Sequence, residues 1–252
     1  MVRYLVEIAY DGSKFFGWQK QPNQISVQTT IETALSKLYD QNWYSITGCG
    51  RTDTGVHAKY YVFHVDLPVK WSIGEIKYKL NRILPNSISI YKVSEVSLNF
   101  HARFSAIQRT YRYFIHLEKD VFKKDFSLLV NNELDVEKMN EACQYIIGKK
   151  DFTSFSKLHT DVHTNICTVF QAQWIKLEDR NLYFEITADR FLRNMVRATV
   201  GTLIDVGLSK IEPSEIENIL QKKNRGEAKT SVPGHALFLW EVKYPIEFEI
   251  KI

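Results

Sequence analysis

One stretch of this 252-residue chain carries more chemical groups than a connecting loop needs. It reads Gly48-Cys49-Gly50-Arg51-Thr52-Asp53-Thr54-Gly55-Val56-His57-Ala58, whereas a hairpin connection ordinarily takes ~2–5 residues. Glycines permit positive φ or close approach of the backbone to a neighbour. Among the three here sit a guanidinium, two hydroxyls, a carboxylate and an imidazole. Loops held by a rigid sheet are where functional groups concentrate. Asp53 is the loop's single acid, which limits the chemistry, because the usual glycosidase needs a pair of carboxylates. The plainer alternative is a structural turn in which Asp53 bonds its own backbone. His57 and His64 are seven apart, the wrong spacing for zinc ligands on one helical face. Cys49, beside Arg51, is either a thiol of lowered pKa or a small buried residue.

A second cluster lies in DRFLRNMVRATVG, where periodicity predicts a long helix over about 190–206. Arg190, Arg193 and Arg197 then fall on one face, suited to phosphate or to a buried carboxylate; a solvated face is the alternative. Basic and aromatic residues also interleave in Lys14–Lys20, His101–Phe104 and Arg109–Tyr113. Aromatic faces stack on unpaired bases while cations follow phosphates, so this pattern suits single-stranded RNA. Core aromatics beneath a basic surface would give the same string.

The elements that position these groups come in a repeated order. Alternation marks a strand over Val2–Tyr10, a helical stripe follows from Val27 to Leu38, and short strands are expected at Trp43–Thr47 and Tyr60–Val65. Ser72 and Glu75 form a capping-box pair opening a helix that Pro85 stops, and Ile88–Val93 is a strand. The second half repeats this with a strand at Tyr111–Leu117, a helix capped by Asp135, and strands near Val169–Leu177 and Leu182–Thr187. The long arginine helix, an extra helix from Pro213 and a strand at Leu237–Val242 complete it. The expected class is α+β: two ferredoxin-like βαββαβ halves, 1–105 and 106–252, joined in a continuous, mainly antiparallel sheet. Helices are expected on one face, and an active-site cleft between the halves.

No apolar run approaches the ~18 residues of a membrane span, and Asp11-Gly12 interrupts the N-terminus before a signal peptide could develop. Cys49, Cys143 and Cys167 are odd in number and far apart, which fits neither a disulfide framework nor a zinc pattern and suits a reducing cytoplasm. A net charge of +4 allows a nucleic-acid partner without naming one.

The ordered set GCGRTDTGVHA, YDGSKFFGWQKQ with SVQ, LNRILP, HARFSA, RTYRY, DFTSF and FLRNMVR resembles the tRNA pseudouridine synthase A family over essentially the whole chain. The resemblance implies isomerisation of uridine to pseudouridine in the anticodon stem-loop of tRNA, by a cytoplasmic homodimer without cofactor or metal. It puts the catalytic aspartate at Asp53, the arginine that holds RNA and the displaced nucleotide at Arg51, and the tyrosine on the uracil at Tyr111. The arginine paired with the aspartate falls on Arg197. Thr54, Thr164 and Ala236 stand where the family commonly has alanine, arginine and glycine. An RNA-binding module without catalysis and an Asp-dependent nucleosidase are the competing classes.

Overall fold

The computed structural model describes residues 1–157 and 163–248. A ten-stranded sheet and five α-helices make up the regular structure among the described residues, which is the expected α+β class. The chain divides into two units, Met1–Gln108 with Leu239–Ile252, and Arg109–Phe238.

In the first unit, β1 (Val2–Tyr10) lies between β3 (His57–Leu67) and β4 (Ile88–Val96), antiparallel to both. Its period-two pattern buries Tyr4, Val6, Ile8 and Tyr10. Arg3, on the alternate face, makes a bidentate pair with Asp66 at 2.7 and 2.8 Å and donates to the carbonyls of Leu98 and Phe100. One guanidinium thus ties β1 and β3 to the segment that leads into HARFSA. Helix α1 (Val27–Leu38) starts at Ser26, whose Oγ accepts the Thr29 N–H, and buries Val27, Ile31, Ala34, Leu35 and Leu38. Helix α2 (Ile73–Ile83) has the complete Ser72/Glu75 capping box. It ends with Leu84 in extended conformation, as a residue preceding proline favours.

The expected strand at Trp43–Thr47 is corrected to the two-residue β2 (Thr47–Gly48), which pairs with β3 opposite His64 and Phe63. The Ile46 backbone bonds to side chains instead: its N–H donates to Glu32 Oε1 and its carbonyl accepts from Gln28 Nε2.

In the second unit, β5 (Gln108–His116), β9 (Asn181–Ala188), β8 (Ile166–Lys176) and β7 (Gly148–Asp151) pair antiparallel in that order, with β6 (Leu128–Leu129) parallel to β5. The turn between β8 and β9 has Asp179 and Arg180 at positive φ, the hairpin conformation that matches strand twist. Helix α3 (Val136–Gln144) is capped by Asp135, whose carboxylate accepts the Lys138 N–H at 3.0 Å. Helices α4 (Met195–Gly207) and α5 (Glu215–Lys222) precede β10 (Leu237–Lys243), which crosses from one unit to the other along the chain.

The long arginine helix is also corrected, since α4 begins at Met195. The Asp189 carboxylate accepts the N–H groups of Thr168 and Arg190, the Arg193 carbonyl accepts from Lys157, and Asn194 adopts φ 68°. Those bonds hold 190–194 out of the helix, and asparagine tolerates the left-handed turn that starts it. Arg197 alone of the three arginines is helical, so they share no helical face.

His64 on β3 gives the first unit a pH dependence. Its buried ring accepts the Ala102 N–H on Nδ1 at 3.1 Å and meets His101 edge-on at 4.9 Å. Burial, with Arg3 and His101 adding to it and Asp66 opposing, pushes its pKa down to about 4 from 6.5. A depressed base holds fewer protons folded than unfolded, so its contribution is complete above pH 6.5 and is lost as the pH falls toward 4. Unfolding in urea should show about 1 kcal/mol less stability at pH 5 than at pH 7 from this group, allowing for solvent screening. His64→Asn, which keeps an acceptor but does not titrate, should flatten that dependence.

Candidate active site

The Asp53 loop connects β2 to β3, and the chain leaving β1 holds it on several sides. Thr52, buried, shares a 2.9 Å hydrogen bond between its hydroxyl and that of Tyr10, and its carbonyl accepts the Trp18 N–H at 3.2 Å. The Gly55 N–H donates to Phe15, and the Val56 N–H to the carbonyl of Asp53. The peptides on both sides of Asp53 are therefore fixed, while its side chain is half-buried and Arg51 beside it is exposed.

Glycines make the approach possible. Gly17 sits at φ 84°, and a Cβ there would lie 2.5 Å from the Thr52 carbonyl oxygen and 3.1 Å from the carbonyl carbon of Asp53. A Cβ at Gly12 would overlap the Val56 carbonyl, and one at Gly48 would overlap the Tyr61 hydroxyl and the Trp18 ring. Tyr61 and Trp18 stack with centroids 4.0 Å apart, and the Tyr61 hydroxyl donates to the Gly50 carbonyl at 2.6 Å. Tyr10, Trp18 and Tyr61 form a buried aromatic floor beneath the loop. Sequence reasoning missed this floor, because the rings come from β1, the following loop and β3: alternation marks Tyr10 and Tyr61 only as core, and Trp18 stands in the basic-aromatic run Lys14–Lys20.

His57 is buried, with Nδ1 3.0 Å from the Gly12 N–H and 3.1 Å from Asp11 Oδ1. The Gly12 N–H can only donate, so Nδ1 carries the lone pair and the Asp11 contact is a close approach, not an ion pair. His57 anchors the entrance to the loop. Among the described residues no group of three or more His, Cys, Asp or Glu side chains could hold a metal ion. All three cysteines are buried and outside any disulfide, and burial pushes Cys143 and Cys167 up to about 12.

The second unit carries Tyr111 and Arg197. Tyr111 lies on β5 opposite Ile186, half-buried, with the Phe191 ring edge-on at 5.0 Å and 85°. Two residues on, Tyr113 is fully buried, its hydroxyl donates to the Pro233 carbonyl, and burial raises its pKa. Arg197 Nε donates to the Val232 carbonyl at 2.7 Å, and the Val232 N–H donates back to the Arg197 carbonyl. Arg225 holds that strap through the Ala228 carbonyl and Ser231 Oγ; Asn194 also donates to Ser231. Gly201 lets the Thr230 carbonyl rest against α4. Arg225 carried no signal in the sequence pattern. Arg51 and Asp53 thus stand two residues apart on one loop of the first unit, while Tyr111 on β5 and Arg197 on α4 belong to the second, where Tyr113 and Arg197 bond to the adjacent carbonyls of Pro233 and Val232.

The interleaved segments divide into core and surface. Phe15 and Trp18 are buried while Phe16 is 46% exposed, and Ala102 is buried while Phe104 is 76% exposed. The Arg103 guanidinium lies 5.5 Å from the Phe104 ring. Thr54 and Thr164 are exposed, whereas Ala236 is fully buried, so its methyl group packs against protein.

A model of the family described as tRNA pseudouridine synthase matches residues 7–105 and 142–245. The tRNA pseudouridine synthase A of Bacteroides fragilis is 47% identical over 246 residues, covering 97% of each chain. That of Bacillus subtilis is 40% identical over 246 residues, covering 96% of this chain and 99% of the other. Among solved structures, the archaeal box H/ACA sRNP Nop10-Cbf5 complex aligns over 79% of this chain and 44% of that one. Its TM-score is 0.35 at 8% identity.

Proposed function

The chain belongs to the tRNA pseudouridine synthase family, and from that premise we propose that it isomerises uridine to pseudouridine in the anticodon stem-loop of tRNA, with Asp53 as the catalytic carboxylate. The observation that carries this reading is the half-buried Asp53 on a loop whose backbone is bonded on either side of it, through Thr52 to Trp18 and through Gly55 to Phe15. Such a site offers one carboxylate in a fixed position, which suits a reaction needing no second acid.

The atoms balance within the substrate. The N1–C1′ bond breaks, the uracil turns, and a C5–C1′ bond forms; C5 gives up a proton and N1 ends with one. Neither water nor an oxidant enters, so the reading calls for no cofactor. The carboxylate acts at the sugar, either by adding to C1′ or by taking a ribose proton. Arg197 is the cation assigned to pair with that carboxylate. Tyr111 stacks on the uracil, and its hydroxyl is the group assigned to relay the C5 proton. The target uridine must leave its stack at a cost of about a few kcal/mol, and Arg51 holds the RNA and the displaced nucleotide. We assign the enzyme to the cytoplasm and read it as a homodimer with tRNA contacting both subunits.

Mapping pseudouridine in unmodified tRNA transcripts incubated with the purified protein tests this. Modification confined to the anticodon arm is the expected result. Pseudouridine elsewhere would overturn the substrate assignment, and free uracil would make the protein a nucleosidase.

A further inference from the structure

Next to the Asp53 loop the first unit carries a second built surface that the reaction does not use. The turn after Gly17 is closed on itself: the Phe16 N–H donates to Ile25, Gln21 Nε2 donates to the Phe16 carbonyl, Gln21 bridges Gln24, and Asn23 takes φ 58°. A hydrogen-bond network, buried at its Glu32 end, joins this turn to the segment before β2. Gln28 Oε1 accepts the Lys20 N–H at 3.1 Å while its Nε2 donates to Glu32 Oε1 and to the Ile46 carbonyl; Glu32 Oε1 also accepts the Ile46 N–H. Glu32 is 2% exposed. Burying a carboxylate is expensive unless it is well bonded, and what this one fixes is the relation between two surface segments.

Those segments present Lys20 and Trp43. The Lys20 ammonium lies 4.7 Å from the centre of the Trp43 ring, and the indole is 49% exposed. Phe16 and Ile25, on the same turn, are exposed as well. From Gly12 to Ile31 the chain has Lys14 and Lys20 and no acid. The turn also stands close to the reacting loop, because Trp18 bonds to Thr52 and Lys20 is two residues further, at most ~7 Å of extended chain. An exposed indole, a cation held over it and a rigid support are the parts that receive an unpaired base and its phosphate.

We propose that Trp43 and Lys20 form a second nucleotide subsite, which takes an unpaired base of the RNA substrate flanking the reacting uridine. The base stacks on the indole and the phosphate meets Lys20, while Gln28 and Glu32 hold the two segments in place. The subsite rests on the reading of the chain as an RNA-modifying enzyme and adds to it a determinant of which uridines are reached.

Trp43→Ala, Trp43→Phe and Lys20→Gln test it through binding and pseudouridine formation on one unmodified tRNA transcript. Loss of a stacked base should raise Kd and KM of Trp43→Ala by roughly 5- to 100-fold, with kcat at saturating RNA unchanged. Trp43→Phe should stay within about threefold of wild type, since a ring remains to stack on. Lys20→Gln should lower the slope of log affinity against log salt by about one. Abasic substitution at one flanking nucleotide should weaken wild type but not Trp43→Ala. Unchanged Kd and KM in Trp43→Ala, with wild type making pseudouridine, overturns the subsite alone. Wild type making no pseudouridine overturns the function reading, and the binding comparison then still decides the subsite.

Discussion

Asp53→Asn should lower pseudouridine formation by about four orders of magnitude, the scale at which a group acting directly on the reacting atoms is lost. The substitution keeps the shape of the side chain and removes its charge. The backbone bonds that hold the loop do not depend on that charge: Trp18 to Thr52, Gly55 to Phe15 and Val56 to Asp53 are all main-chain pairs. Thermal stability should therefore change by less than about 1 kcal/mol. Affinity for tRNA should hold or rise, because a negative charge facing a phosphate-rich ligand has been removed. Melting curves, equilibrium binding and single-turnover kinetics on one transcript separate these effects. Weakened binding with retained turnover would give Asp53 a binding role only.

The second large effect is expected from Gly17→Ala, although the side chain added is a single methyl. Alanine at this position must adopt φ 84°, at a cost of about 1–2 kcal/mol. Its Cβ also lies 2.5 Å from the Thr52 carbonyl oxygen, and that oxygen already accepts the Trp18 N–H. Backbone cannot swing aside as a flexible side chain does, so the peptide leading into Asp53 must shift. A loss of about 3 kcal/mol is expected, or roughly 6–12 °C in Tm for a chain of this size. A displacement of about 1 Å at the carboxylate costs about a further hundredfold in kcat. Gly50→Ala is the control within the same loop, since nothing lies within 4 Å of its added Cβ. It should stay within about 0.5 kcal/mol of wild type.

Features whose physics is local were legible before the fold. Ser72 and Asp135 cap the helices expected of them because a cap needs only a side-chain oxygen near the next turn's N–H groups. The positive-φ turn at Asp179-Arg180 follows two alternating runs for the same reason. The departures occur where distant groups take over backbone bonds. Trp43–Ile46 reads as a strand by composition, but Gln28 and Glu32 satisfy Ile46, leaving β2 only two residues. Residues 190–194 fit a helical period, yet Asp189, Lys157 and Asn194 hold them out of α4. The loop's density of functional groups pointed to Asp53, whereas beneath it Tyr10 and Tyr61 were hidden in the core pattern and Trp18 in a basic-aromatic run. The two short strands β6 and β7 have too few residues for alternation to show.

The central claim is that uracil leaves C1′ and returns through C5 without escaping, with Asp53 acting at the sugar. The most direct measurement uses tRNA tritiated at uracil C5, incubated with excess wild-type or Asp53→Asn protein. The account predicts one tritium released to water for each uridine converted by wild type, with no free uracil, and no release by the variant. Free uracil, tritium retained in a converted product, or release by Asp53→Asn at the wild-type rate would contradict it.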